Sequence, residues 1–259
     1  MRTAICLCLL SACAAFAWVD SPPEATPFTA VLETIEGCEC VAPCPCESLE
    51  PASFDRCRAL KCLTVRGNHD KACSGVTGVE SFNPIAGLAA LWTKQVLTPE
   101  NLDWLKQLPQ GPLKTESLAD AQFVHGSPLD EDEYVIVIRD AVEPLLRTEL
   151  SLTFFGHTHI QGAFSLEADV VETIRPNYRL PEEKESYQIP LRKTARYLIN
   201  PGSVGQPRDG DPRAAFALFD SADYTITFHR VPYDIGAAQK RIQAAKLPER
   251  LATRLADGR

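Results

Sequence analysis

Cysteine is scarce in most of this chain: nine of its ten cysteines precede residue 64, the tenth is Cys73, and none follows. A secreted disulfide scaffold spreads its bridges over the fold, so the last two-thirds reads as an ordinary domain of a reducing compartment. No run of 18 or more apolar residues occurs, which argues against a membrane-spanning helix. Positive charge is also in deficit, with 26 Lys and Arg against 34 Asp and Glu and a formal net charge of −8. Such a balance offers no footprint for a nucleic-acid backbone or an anionic membrane. Small anions are then expected to bind only where a metal or local cations reverse the field. Neither Asp-x-His nor Gly-Asp occurs in the first 63 residues, and no internal repeat is present.

At 259 residues the chain can bury a sizeable core, and one large domain over 1–259 is expected, with 1–59 a deviant segment and 60–259 regular. The amino-terminal third is the irregular part. Arg2 followed by the apolar stretch 4–17, with Ala15-Phe16-Ala17, has the pattern of a signal peptide, and Leu10-Ser11-Ala12-Cys13 that of a lipoprotein box. The plainer reading makes Met1 to Leu10 a first strand. The expectation is a cytoplasmic protein, with export or lipid anchoring through residues 1–17 as the alternative. Phe28, Val31, Leu32 and Ile35 form a helical stripe that Gly37 would end. Cys38, Cys40, Cys44 and Cys46 follow in a run stiffened by Pro43 and Pro45. Their Cys-x-Cys spacing departs from that of a zinc knuckle.

Beyond residue 60 the punctuation is regular. Leu60 to Val65 reads as a strand entering a Gly67-Asn68-His69-Asp70 loop. Asn83-Pro84 and Thr98-Pro99 are cap-plus-proline signatures opening two helices, the first to about Val96. Strands are expected over 121–124, 151–155, 196–199, 214–219 and 224–231, and helices over 235–245 and 248–256. Pro176 to Arg192, polar with three prolines, is expected to be a surface excursion. Strands interleaved with helices give an α/β or α+β architecture.

Each histidine-bearing string directly follows an apolar strand, where a sheet can preorganise ligands. These strings are Gly67-Asn68-His69-Asp70, Val124-His125-Gly126 and Gly156-His157-Thr158-His159, and they hold four of the five histidines. His157 and His159 are two residues apart, so both face one pocket only if the strand has ended in a turn, which Gly156 permits.

With VRGNHD (65–70), FVHGSP (123–128), FFGHTH (154–159) and INPGSVGQPRDGDPRA (199–214), the chain from about residue 60 resembles the calcineurin-like metallophosphoesterases, in particular their small bacterial and archaeal phosphodiesterase branch. The resemblance implies an α+β fold, a four-layer sandwich of two mixed β-sheets flanked by helices, with metals at the sheets' loop edge. It makes Asn68, His125 and His157 ligands of one metal and His159 a ligand of a second, the ions being Mn²⁺, Zn²⁺, Fe²⁺ or Ni²⁺. His69 becomes the group that protonates the leaving oxygen or steadies the transition state, and Asp70 its orienting partner. In such a mechanism two ions roughly 3.5–4 Å apart polarise the phosphoryl oxygens and generate a hydroxide nucleophile that hydrolyses a small phosphoester. Asn200 and Ser203 lie in a loop expected to approach the site.

The family opens with Asp-x-His and follows with Gly-Asp, whose carboxylate bridges the metals. Here an ungapped continuation from Met1 puts Cys8 and Leu10 at the first pair, and the Cys/Pro run occupies the interval of the second. All remaining candidate ligands are neutral, so two adjacent dications would repel without a bridging anion. One metal on three protein ligands resembles a catalytic zinc arrangement, and Cys8 is a conceivable substitute ligand. Divergence and frame-shifted translation both account for the segment, and the stripe at 28–37 counts against one simple shift. Two functions follow: a metal-dependent phosphodiesterase, or an inactive binding module on the same fold.

Overall fold

The computed structural model describes residues 3–10, 13–20, 63–116 and 118–259, the first two stretches by their backbone pairing alone. The Phe28–Gly37 stripe and the Cys38–Cys46 run lie outside the described residues.

Two six-stranded sheets face each other. The first has the order β3 (Leu63–Arg66), β2 (Cys13–Asp20), β1 (Thr3–Leu10), β11 (Ala214–Asp220), β12 (Thr225–Val231) and β9 (Glu185–Pro190). The second has the order β4 (Leu113–Thr115), β5 (Leu118–Phe123), β6 (Leu152–Phe154), β10 (Arg196–Asn200), β7 (Gly162–Glu167) and β8 (Val170–Ile174). The second sheet is mixed, because β5, β6 and β10 run parallel. The first is antiparallel throughout, a refinement of the expected pair of mixed sheets. The stretch with the signal-peptide pattern forms the hairpin β1–β2 at the centre of that sheet, with Cys8 opposite Phe216 and Leu10 opposite Cys13.

Alternation along the strands explains the sandwich. Phe123, Phe154, Tyr197 and Ile199 join Val65, Phe219, Ile226 and Phe228 in the core between the sheets. Their chain neighbours Val124, Phe155 and Leu198 point the other way, onto Ala141 and Leu145 of helix α4 (Ile138–Arg147). A strand covered on both faces is apolar nearly throughout, and the exceptions here, Gln122 and Thr153, satisfy each other with a hydrogen bond at 3.0 Å.

Helices α1 (Asn68–Ser74), α2 (Pro84–Val96) and α3 (Pro99–Gln107) share a second cluster around Cys73, Ala90 and Leu105. Ala89 on the far side of α2 packs with α5 (Ile235–Ala244) and α6 (Glu249–Thr253). The predicted caps are in place: Asn83 accepts from the Ile85 N–H at 3.0 Å and Thr98 from the Asn101 N–H at 3.3 Å. Among the described residues no helix is long and apolar enough to cross a membrane.

Two expectations need correction. Gly67 to Asp70 is the first turn of α1 rather than a loop, with Gly67 as its N-cap. The 176–192 stretch is not a free excursion, because Glu185–Pro190 adds an edge strand to the first sheet against β12. Arg213, buried, secures it by donating to the carbonyls of Leu180 and Glu183 and to Glu185 Oε2 at 2.7–2.8 Å.

Candidate metal centre and cleft

Strands β5, β6 and β10 are parallel neighbours, so their carboxyl ends open onto one edge of the second sheet. His125 follows β5, His157 and His159 follow β6, and Asn200 ends β10. Asn68 and His69 arrive from the other sheet, at the start of α1 after β3. Ligands in open α/β sheets favour such edges.

Three donor atoms converge there. His125 Nε2 lies 3.1 Å from Asn68 Oδ1 and 3.0 Å from His157 Nδ1. Backbone carbonyls dictate the tautomers. His157 Nε2 faces the Asp132 carbonyl at 3.1 Å, so its proton is held there and Nδ1 carries the lone pair. His159 Nδ1 donates to the Gln206 carbonyl at 2.8 Å, leaving Nε2 as its lone pair. The one remaining proton, on His125 Nε2, is shared between two acceptors. A divalent cation in its place would satisfy Asn68 Oδ1, His125 Nε2 and His157 Nδ1 together, and the carbonyls play the orienting part seen around metal-bound imidazoles. The set therefore fits one N/O-liganded ion. Among the described residues no cluster of three or more His, Cys, Asp or Glu side chains is arranged to hold a metal. The position of Cys8's side chain, the proposed substitute, lies outside the description.

Burial keeps these imidazoles neutral. Desolvation, then His157, His69 and Lys71, holds His125 well below the usual range. His157 is lowered to about 4, mainly by burial, with Arg208 and Lys71 adding to it and Asp132 opposing. Burial and then Arg208 hold His159 low, and His69 falls to about 3 through burial, Arg208 and His157. Neutral imidazole is the form a metal takes.

The turn carrying His157 and His159 is strained. Both residues have a left-handed backbone with φ +60°, an arrangement costing roughly 1–3 kcal/mol each. The turn was expected to rest on Gly156, yet the histidines themselves supply it. Asn200 holds it in place: its Nδ2 donates to the Gly156 carbonyl and to Thr158 Oγ1, both at 2.9 Å, while its Oδ1 accepts from the Gly202 N–H. Ser203 accepts from the Gln206 N–H at 2.9 Å, so the loop after β10 fixes the carbonyl that sets the His159 tautomer.

Gly126 has a comparable purpose. A Cβ there would fall 2.6 Å from the Glu131 carbonyl oxygen and 2.7 Å from that of Glu133. Only glycine lets this loop approach closely enough for Asp132 to receive His157. Lys71, buried, ties the loop down through Glu131 at 3.0 Å and Asp132 at 2.5 Å. Asp70, also buried, accepts from the Gly67 N–H at 2.7 Å, so it anchors the turn bearing Asn68 and His69 through the backbone.

Asn68, His69 and His157 line a cleft of about 800 Å³, together with Arg208 and Tyr134. His125, His159 and Asp70 are set behind its surface. Tyr134 stacks on His157 with ring centroids 3.8 Å apart, and Phe82 meets His69 edge-on at 4.9 Å. Arg208, Asp132, Tyr134 and Gln206 were not singled out from sequence. Arg208 and Gln206 do lie within the quoted 199–214 string. The carbonyls of Asp132 and Gln206 carry no side-chain signal.

The comparisons with known proteins cover most of the chain. A model described as the calcineurin-like phosphoesterase superfamily domain matches residues 24–223, beginning inside the segment expected to be deviant. An uncharacterized protein of Methanocaldococcus jannaschii is 38% identical over 205 residues, 78% of either chain. The crystal structure of a metallophosphoesterase from Sphaerobacter thermophilus is 36% identical with a TM-score of 0.65, covering 85% of this chain and 84% of that one. A hypothetical protein of Pyrococcus horikoshii, 19% identical with a TM-score of 0.55 and coverage of 75% and 72%, shares the fold.

Proposed function

Because the chain belongs to the calcineurin-like phosphoesterase superfamily, we propose that it is a metal-dependent phosphoesterase acting on small phosphodiesters in the cleft at Asn68, His69, His157 and Arg208. The observation that carries this reading is the meeting of Asn68 Oδ1, His125 Nε2 and His157 Nδ1 behind that cleft, with both outer imidazole nitrogens of His157 and His159 fixed by carbonyls. Asn68, His125 and His157 would hold one divalent ion, Mn²⁺, Zn²⁺, Fe²⁺ or Ni²⁺, and His159 is the candidate ligand of a second. Such an ion supplies Lewis acidity and a water acidic enough to attack near neutral pH.

The chain's own groups do the rest. Arg208 brings a positive charge beside His69 and His157, where a phosphoryl group gathers negative charge. His69, neutral at pH 7, donates one hydrogen bond toward a phosphoryl or leaving-group oxygen, and an anion bound beside it raises its pKa toward proton transfer. Asp70 steadies His69 through the turn it caps. Tyr134, stacked on His157, offers an aromatic wall to the ester substituent.

The test is hydrolysis of bis-p-nitrophenyl phosphate with Mn²⁺ or with chelator, for the wild type and His69→Ala. Metal-dependent turnover that falls roughly 10²–10⁴-fold in the variant supports the reading. The neutrality of every described donor favours a second reading, an inactive binding module of the same fold. Folded protein that binds metal without turnover would establish it.

A further inference from the structure

Among the described residues the fully buried cations end on carboxylates. Lys71 pairs with Glu131 and Asp132, Arg213 with Asp211 and Glu185, and Arg230 with Asp209 and Asp211. Arg208, half-buried and lining the cleft, is held differently. Its Nε and Nη2 both donate to one neutral oxygen, Gln206 Oε1, at 3.0 and 2.6 Å. Among the described residues no carboxylate lies within ion-pair distance of it. Asp209, its neighbour in the chain, turns its carboxylate to the Gln161 N–H at 2.9 Å and to Arg230. The backbone of this segment is pinned to the strained turn. The Gln206 N–H donates to Ser203 Oγ, its carbonyl accepts from His159 Nδ1, and the Arg208 N–H donates to the His159 carbonyl at 3.1 Å. Pro207 between them restricts Gln206 to extended backbone, where side chains two residues apart share a face.

A guanidinium suits phosphoryl oxygens through its forked donors, but one already paired with a carboxylate brings little net charge to them. An arginine with no partner keeps its charge and loses rotamer freedom on binding. An amide oxygen meets both demands, because it orients the guanidinium and leaves the charge uncancelled. We propose that Gln206 is the positioning residue of this site, holding Arg208 toward the cleft with its positive charge intact for a phosphoryl group. This rests on the phosphoesterase reading for what the bound phosphoryl group undergoes, while the hold on Arg208 is a binding property measurable without turnover. The main-chain bonds of Gln206 to His159 and Ser203 do not involve its side chain, so substitutions isolate the amide.

The experiment is calorimetric titration of the purified chain with orthophosphate, alongside thermal melts. The variants are Arg208→Ala, Gln206→Met, which keeps the length and removes the acceptor, and Gln206→Glu, which keeps the shape and adds a charge. Gln188→Glu adds the same charge on the exposed edge strand β9, outside the cleft, and is the control. Arg208→Ala should weaken orthophosphate binding roughly tenfold or more. Gln206→Met should weaken it about 2–10-fold, through the freedom regained by the arginine side chain. Gln206→Glu should weaken it at least as far as Arg208→Ala and remove its dependence on salt, and Gln188→Glu should match the wild type. A merely structural role gives the opposite order, because glutamate is closer in shape to glutamine than methionine is. Wild-type affinity in Gln206→Glu, or orthophosphate binding that is absent or indifferent to Arg208→Ala, would overturn the proposal. Should Gln206→Glu not fold, Gln206→Met decides: reduced affinity supports the proposal and wild-type affinity overturns it. Hydrolysis of bis-p-nitrophenyl phosphate by the wild type separates the two claims. An inactive chain with the expected order of affinities refutes the enzyme and supports the role of Gln206. An active chain whose orthophosphate affinity ignores Gln206 refutes that role alone.

Discussion

Replacing Gly126 by alanine tests how the 131–133 loop, through the Asp132 carbonyl, builds the site. The new Cβ would meet the Glu131 carbonyl oxygen at 2.6 Å, whereas ordinary contact begins at 3.4 Å, so the 131–133 loop must retreat by about 0.8 Å. That loop carries the Asp132 carbonyl, now 3.1 Å from His157 Nε2, and a comparable retreat ends the hydrogen bond. Overpacking of this kind costs about 1–3 kcal/mol, which in a chain of this size lowers Tm by roughly 3–10 °C. Loss of the carbonyl frees the His157 tautomer and should weaken Mn²⁺ binding about 10–100-fold. Gly210→Ala is the comparison: its φ is +84° but its surroundings are open. It should lose only the roughly 1–2 kcal/mol of left-handed strain and none of the metal affinity. Melting curves, Mn²⁺ titrations and ¹⁵N shifts of the His157 ring read these effects. Wild-type Mn²⁺ affinity in a destabilised Gly126→Ala would refute the role given to the Asp132 carbonyl. An unchanged Tm would refute the close approach itself.

Other predictions follow from the same interactions. Metal-free protein should lose stability as pH falls from 6.5 toward 4. The unfolded chain protonates its histidines there, while His157 and His229, both lowered to about 4 chiefly by burial, stay neutral in the fold. Each contributes on the order of 3 kcal/mol at most across that window, and denaturant melts at several pH values measure it. Stability that is flat between pH 7 and 4.5 would contradict the burial of these rings. Asn200→Ala leaves the Gly202 N–H without its partner and removes the donor to Thr158 Oγ1 and one of two donors to the Gly156 carbonyl, which keeps the Thr158 N–H, for a cost of roughly 2–4 kcal/mol. A thermal melt of that variant should fall about 4–12 °C, and its Mn²⁺ affinity should fall with it as the strained turn relaxes.

What the sequence made legible were features with a local cause. Asn83-Pro84 and Thr98-Pro99 announce α2 and α3 because capping is a short-range interaction. The strands before His125 and His157 were clear because both of their faces are covered, so they are apolar but for Gln122 and Thr153, which hydrogen-bond each other. Helix α4 went unnoticed since it holds Pro144 and follows the strand-like run Val135 to Val137. The pairing of β9 depends on Arg213, some thirty residues away. At the site, the ligand candidates were readable as histidines in glycine-flanked strings. Their tautomers were not, because those depend on the main-chain carbonyls of Asp132 and Gln206, which any residue type could present. Nor does a sequence announce left-handed φ at His157 and His159, a conformation side chains resist and only the surrounding hydrogen bonds impose.

The most direct test of the account is pulsed electron paramagnetic resonance of Mn²⁺ added to the purified chain. Bound Mn²⁺ should show nitrogen couplings from imidazole, diminished in His125→Ala and in His157→Ala. Binding without nitrogen couplings, or couplings that survive both substitutions, would contradict a metal centre built on Asn68, His125 and His157.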